Sequence, residues 1–532
     1  MGSVCKSARL GVAVLVALSG GVGFAASESP APLTLAPGSM ARVGTVDERF
    51  QSYNIEMVEV TGGRFWKPYD SVAAASPADS SAPTHGAPSG MDPALFEYRK
   101  PIDLSNARLR KLAAALGPAY VRVSGTWQNT TFFQNSDKPA PAAAPAGFNS
   151  VLTRGEWKGV VDFANAANAK VVTSFAISPG TRNAEGVWTP AQAEQFLSYT
   201  KQAGGDIAAA EFMNEPTIAE MGGAPKGYDA KAYAKDFAVF RKFAKDHAPG
   251  MLILGPGGVG EGSGLMASSM RVVKTEDILG AVGPNFDAVS YHSYGGVSSR
   301  CGHMGGTSGT TADAALSEEW LARGEKIEAF YGGLRDRFEP GKPLWLTETA
   351  QTACGGDRWA STFVDSFRYL NQLGSLAKRG VQVHLHNTLA ASDYALLDEK
   401  TYEPRPNYWA ALLWHKLMGT TVLDAGAAPS PNIHLYAQCM RDKPGGVVVL
   451  AINADKSASQ MVETPIGVDR YTLTAKDLLA KTVELNGREL ILGEGDVMPP
   501  MIGIRERTRH LNVAPESISF FAFPLAHNAS CQ

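Results

Sequence analysis

The chain has 532 residues, 44% of them apolar and 19% charged, which is enough to bury a large core and more than one average domain needs. Its 49 Lys and Arg against 52 Asp and Glu give a formal charge of −3, which argues against a general polyanion-binding surface of the nucleic-acid kind while leaving room for a small basic pocket.

Residues 2–26 combine Lys6 and Arg9 with an apolar run from Leu10 through Leu18 to Phe24, then small residues at Ala25-Ala26-Ser27. That pattern predicts a signal peptide, too short for a membrane anchor, and hence a secreted or periplasmic protein free of the membrane after cleavage. Residues 27–50 are Pro/Ala-rich and then strand-like from Ala41 to Val46, able to lend a strand to another sheet. Gln51 to Val60 reads as a better strand, with Glu56 reaching its C-terminal end. The Ser/Ala/Pro/Gly stretch Ser71–Asp92 is too poor in large apolar residues to make its own core, and loops of that length are usually lids or disordered.

A regular alternation follows. Helices are predicted at Asn106–Leu116, Trp157–Ala167, Thr189–Ala203, Ala230–Asp246, near Met266–Thr275, at Leu316–Phe338 and at Trp359–Arg379. Strands are predicted from Ala119, at Lys170–Ile177, before Asn214, at Leu252–Leu254, at Ala288–Tyr291, before Glu348 and at Val381–His386. Strands alternating with helices about eight times predict a (β/α)8 TIM barrel. After Gly419 the texture changes to short alternating strands at Val447–Asn453, Arg470–Ala475, Thr482–Leu485 and Ile518–Pro524, which predict an accessory C-terminal β-sandwich. The expected division is a signal peptide at 1–26, an N-terminal segment at 27–50, a catalytic barrel at 51–420 and a sandwich at 421–532.

Two stretches of this pattern carry chemistry. Ala209-Ala210-Glu211-Phe212-Met213-Asn214-Glu215-Pro216 is a small apolar strand stopped by a proline that cannot continue a central ladder. Pro343-Leu344-Trp345-Leu346-Thr347-Glu348-Thr349 ends in a second carboxylate. On the strand count these end strands four and seven, on the catalytic face of a barrel. Either motif alone fits a surface turn; together they suit glycosidic bond cleavage, which needs a proton for the leaving oxygen and a nucleophile for the anomeric carbon. Glu215 is assigned as acid/base and Glu348 as nucleophile, with Asn214 on the sugar 2-hydroxyl. Tyr294 is a candidate hydrogen-bond donor to the nucleophile, while His292, His384 and His386 fit packed core or rim histidines. No metal-ligand spacing appears, so no cofactor is expected.

Once Cys5 leaves with the signal, four cysteines remain: Cys301, Cys354, Cys439 and Cys531. Two disulfides fit an exported chain, and spacing alone does not fix their pairing. Pairing Cys301 with Cys354 and Cys439 with Cys531 keeps each bridge inside one predicted domain.

In order along the chain, the runs Pro118–Thr126, Asn214-Glu215-Pro216, Tyr291-His292-Ser293-Tyr294, Trp345–Thr349 with Gly355-Gly356, and Ser392-Asp393-Tyr394 through Tyr408-Trp409 to Thr420 resemble glycoside hydrolase family 79, the heparanase and β-glucuronidase family of clan A. The resemblance implies a retaining hydrolase of β-linked glucuronic acid, its uronate carboxylate held by backbone amides of Gly355 and Gly356 and by Tyr394. It implies a glucuronic-acid-containing glycan as partner. Glu56, from its place at the end of its strand, is a further substrate-binding candidate. The excisable linker and basic segments of the mammalian heparanase pattern are not evident, and the Ser71–Asp92 and Gly295–Thr311 loops differ from their counterparts; long loops at a barrel mouth can wall off subsites beyond the terminal sugar, which favours exo cleavage at a non-reducing end. An endo-acting heparanase-like enzyme, another clan A glycosidase and a catalytically silent carbohydrate-binding protein are the competing readings.

Overall fold

The computed structural model describes residues 1–2, 32–69, 91–262, 272–304, 306, 308–465 and 467–532. The predicted signal peptide and nearly all of the Ser71–Asp92 stretch lie outside them. Eight parallel strands close into a barrel in chain order: β1 Gln51–Glu56, β2 Ala119–Ser124, β3 Ala169–Ser174, β4 Ile207–Glu211, β5 Leu252–Gly258, β6 Ala288–Tyr294, β7 Leu344–Ala350 and β8 Val381–His386, with β8 pairing back onto β1. The protein is thus an α/β (β/α)8 barrel. Strand side chains alternate, so Tyr120, Val172, Ala209, Leu254, Ala288, Trp345 and Val383 fill the barrel's interior as one apolar layer, while their neighbours pack outward on the helices.

Local chemistry sets the helix starts. Asn106 caps Ala107–Ala115 by accepting from Leu109 N–H, and Thr153 with Glu156 closes a reciprocal capping box on Arg154–Ala166. Most of the helix expected near Met266–Thr275 lies outside the described residues, and a helix runs Thr275–Val282. Its start follows the charges: Glu276 and Asp277 fall in the first turn, where the helix dipole favours them. The stretch read as one helix from Leu316 divides into Glu318–Leu321 and Arg323–Phe338.

Beside the barrel lies a nine-stranded sheet in which Arg42–Thr45 pairs with Met418–Leu423, followed by Ile433–Met440, Val447–Asn453, Ser517–Phe523 and Asp469–Thr474. Along Val447–Asn453 the side chains of Val448, Leu450 and Ile452 join the barrel-side core, and those of Val447, Val449 and Ala451 join a second core. A three-stranded sheet of Leu33–Thr34, Gln460–Glu463 and His510–Val513 contributes to that second core. Helix Phe363–Lys378 lies between barrel and sheet, buried throughout from Phe363 to Ala377, and Tyr436 of the sheet donates to its Asn371 Oδ1 at 2.6 Å. Disulfides join Cys301 to Cys354 and Cys439 to Cys531.

Candidate active site

β4 ends at Glu211, and the chain turns out of the ladder to reach Asn214 and Glu215. Glu215 has φ 50° and ψ 63°. Left-handed backbone costs a side-chain-bearing residue about 1–2 kcal/mol, so the surroundings must hold it. They do so one residue earlier: Asn129 accepts from Asn214 N–H and donates to Asn214 C=O, both at 2.9 Å. Pro216 disfavours right-handed helical geometry at Glu215.

Glu348 lies inside β7, in register with His292 of β6. Its Oε1 accepts the Tyr294 hydroxyl at 2.5 Å and its Oε2 accepts Arg122 Nη1 at 2.9 Å. His292 Nδ1 stands 3.1 Å from Glu215 Oε1 and 3.8 Å from Glu348 Oε2. One oxygen from each carboxylate and a nitrogen of His292 all fall within 4.8 Å of one another. That donor set has the spacing of a metal site, but Arg122 already supplies Glu348 with a fixed cation.

Beneath this pair runs a buried charge layer. Arg122 Nη2 donates to Glu211 Oε2 at 2.8 Å and to Asn214 Oδ1 at 2.7 Å. Ser290 and Thr347 each donate to Glu211 Oε1 at 2.7 Å. Burial alone would favour the neutral acid of Glu211, yet Arg122 and these partners hold it well below the usual carboxylate range. With Asn214 Oδ1 taken by Arg122, its amide NH2 is left as the donor.

Glu215 is shifted the other way. Burial raises its pKa, the His292 hydrogen bond opposes the rise, and the nearby Glu348 charge adds to it. Burial by itself would lower His292, but Glu348, Glu211 and Glu215 surround it and push it up to about 10. Burial, then Glu348, keeps the Tyr294 phenol neutral and able to donate. The arrangement sets one carboxylate against the Arg122 cation and the Tyr294 hydroxyl, beside a second carboxyl group biased towards its acid form.

A second group adjoins it through Asn387, whose Nδ2 lies 3.0 Å from Glu56 Oε1, 3.2 Å from the Tyr394 hydroxyl and 3.3 Å from the Tyr294 hydroxyl. Burial and Glu348 raise Glu56 well above an ordinary glutamate. Gly125, at φ 91°, makes room for it: a Cβ there would fall 1.5 Å from Glu56 Oε2. Gly356 abuts Tyr394, and Gly355 abuts Trp66.

The structure therefore brings Glu215, Glu348, Asn214, Tyr294, Tyr394 and Glu56 into one connected site, with Gly355 and Gly356 at its edge. His292, read from sequence as a packed histidine, touches both glutamates' oxygens. His384 and His386 stand apart from the two glutamates; His384 meets Gln372 at 3.2 Å, and His386 donates to Tyr394 C=O at 2.9 Å. Arg122, Asn129 and Asn387 were missed. The available signals were an arginine inside the otherwise apolar Tyr-Val-Arg-Val strand and the single charge, Glu211, in an Ala-rich one.

Comparison with known proteins agrees with this geometry. The model for glycosyl hydrolase family 79, N-terminal domain, matches residues 100–374, just over half of the chain. Heparanase-like protein 1 of Arabidopsis thaliana is 26% identical over 492 residues, covering 81% of this chain and 86% of that protein. Baicalin-beta-D-glucuronidase of Scutellaria baicalensis is 26% identical over 468 residues, covering 80% and 84%. Among solved structures, a 4-O-alpha-L-rhamnosyl-beta-D-glucuronidase from Fusarium oxysporum 12S shares the fold with a TM-score of 0.60 at 14% identity, over 92% of this chain and 100% of that one. With two glutamates at the C-terminal mouth of a barrel and a family match spanning them both, the chain belongs to glycosyl hydrolase family 79.

Proposed function

We propose that this glycoside hydrolase is a retaining β-glucuronidase that removes glucuronic acid from the non-reducing end of oligosaccharides or glycoconjugates. The observation that carries the reading is the meeting of two carboxyl oxygens within 4.8 Å, on glutamates whose environments differ in charge. That spacing suits retaining enzymes, whose carboxyl groups lie about 5–5.5 Å apart, and leaves too little room for the water an inverting enzyme needs. Glu348 attacks the anomeric carbon as Glu215 gives its proton to the departing glycosidic oxygen. Glu215, now ionised, then takes a proton from water, which attacks the same carbon and frees Glu348.

Tyr394, Gly355 and Gly356 hold the uronate carboxylate, and Asn214 and Glu56 bind sugar hydroxyls. Neutral amide and phenol donors recognise an anion without a basic surface, in keeping with the net charge of −3. The glucuronidase names among the relatives support the same sugar. Two disulfides support an exported, secreted or periplasmic protein; among the described residues no helix is long and apolar enough to cross a membrane.

The test is hydrolysis of an aryl β-glucuronide, the matching β-glucoside and heparan sulfate chains, side by side. Release from the glucuronide without shortening of the polymer is expected. Shortening of the polymer makes the enzyme endo-acting, and hydrolysis of the glucoside alone removes the uronate assignment.

A further inference from the structure

The uronate contact asks two glycine amides to keep one direction, and glycine is the residue least able to hold its own backbone. The chain around Gly355 and Gly356 is accordingly fastened from several sides. Cys354, Gly355 and Gly356 all have positive φ, at 66°, 79° and 86°, a conformation that persists only when the surroundings impose it on the non-glycine member. Cys354 is bridged to Cys301 in the loop that follows β6. Next to the bridge, Ala353 N–H donates to Gly296 C=O at 2.9 Å and Ser298 N–H to Ala353 C=O at 3.1 Å.

Beyond the glycines stands Asp357, which is buried. Its N–H donates to Gln351 Oε1 at 2.9 Å. Its Oδ1 accepts from Ser299 N–H at 2.9 Å and Ser299 Oγ at 3.0 Å. Ser298 Oγ lies 2.8 Å from Gly356 C=O and 3.1 Å from Asp357 Oδ1. The turn itself is wedged, since a Cβ on Gly355 would lie 2.7 Å from Trp66 Cβ and one on Gly356 would lie 3.0 Å from Ala360 Cβ.

From this we infer that Asp357 and the Cys301–Cys354 disulfide are positioning elements that set the enzyme's preference for a carboxylate-bearing sugar, by fixing the Gly355 and Gly356 amides between the loops after β6 and β7. The inference rests on the uronate reading above. Asp357 hydrogen-bonds Ser298, Ser299, Tyr69 and Gln351, not the two glutamates, so the clamp acts on recognition and leaves the bond-breaking step alone.

The experiment compares wild type, Asp357→Asn, the Cys301→Ser/Cys354→Ser double variant and wild type treated with dithiothreitol. Each is assayed on an aryl β-glucuronide and the matching β-glucoside, with folding checked by circular dichroism. Loss of the fixed amides should raise KM for the glucuronide about tenfold, the scale of one charge-assisted hydrogen bond, with little change in kcat. Glucoside turnover should stay as it was, so the ratio of the two specificities falls. A wild type that does not prefer the glucuronide sinks the uronate reading itself, and the clamp with it. A wild type that prefers it, with variants that keep their KM, overturns the clamp alone. Equal losses on both substrates also overturn it, because they mark general support of the fold. Should the variants not fold, the dithiothreitol arm on folded wild type decides by the same criterion.

Discussion

Arg122 places one guanidinium nitrogen 2.9 Å from Glu348 and the other 2.8 Å from Glu211, with all three side chains buried. The division matters for the chemistry. The nucleophile role proposed for Glu348 needs an ionised carboxylate, yet a carboxylate tied to a whole cation of its own is poor at attack. Glu211, saturated by Arg122, Ser290 and Thr347, takes much of that cation's field. Glu348 keeps one bond from Arg122 and one from Tyr294.

Replacing Arg122 by Gln should therefore cost both stability and rate. Two buried carboxylates would face each other with their shared cation gone, and breaking one side of a buried ion pair costs about 3–5 kcal/mol. Denaturant unfolding should show a loss of that size, and kcat should fall sharply even at temperatures where the variant is folded. Unchanged unfolding would mean that the layer beneath the site is not held by Arg122.

The two glutamates separate by leaving group. Glu348→Gln should leave no glycosyl-enzyme intermediate detectable by mass spectrometry on any glucuronide. Glu215→Gln removes the proton donor, a contribution of about 10²–10⁴-fold, and should spare substrates with activated phenol leaving groups far more than natural ones. Equal losses on both kinds of substrate would deny Glu215 its role.

The parts of the site that were legible from sequence were those that break a pattern. Glu215 stands before a proline at the end of an apolar strand, and Glu348 is the lone carboxylate in Leu-Trp-Leu-Thr-Glu-Thr. The strand count needed only periodicity. Arg122, His292 and Asn387 were harder because each occupies a strand or strand-end position that burial alone would explain, and most of their partners lie tens to hundreds of residues away. Asn387 contacts Glu56 across 331 positions, a distance no local pattern spans.

The pH profile should carry the signature of His292. In its proposed acid/base role Glu215 must be protonated to act, so activity should fall as pH rises through its elevated pKa. The His292 hydrogen bond and charge pull that pKa down; His292→Gln keeps a donor but removes the charge, and should move the alkaline limb to higher pH. Stability responds with its own sign. A histidine raised from 6.5 to about 10 contributes fully below its unfolded value and loses that contribution as pH climbs through the folded one. Wild type should lose stability between pH 6.5 and 10 in denaturant melts, and His292→Gln should lose less. Identical pH dependence in both would exclude His292 as the titrating group.

The second disulfide should behave unlike the first. Cys439–Cys531 closes a separation of 92 residues and fastens the end of the chain to the sheet beside the barrel. There Asn528 also donates to Pro37 C=O at 2.7 Å and Met40 C=O at 2.9 Å, tying the N-terminal segment to the same place. Cross-linking so long a loop removes unfolded-state entropy, and loss of a native disulfide typically costs about 2–5 kcal/mol. Cys439→Ser/Cys531→Ser should lower the unfolding free energy by that amount. Because neither cysteine adjoins a residue of the site, KM and kcat on a glucuronide should hold at temperatures where the variant is folded. A rise in KM matching that of the Cys301→Ser/Cys354→Ser variant would mean that both bridges act through overall rigidity, and that the loop carrying Gly355 and Gly356 has no special claim on its own.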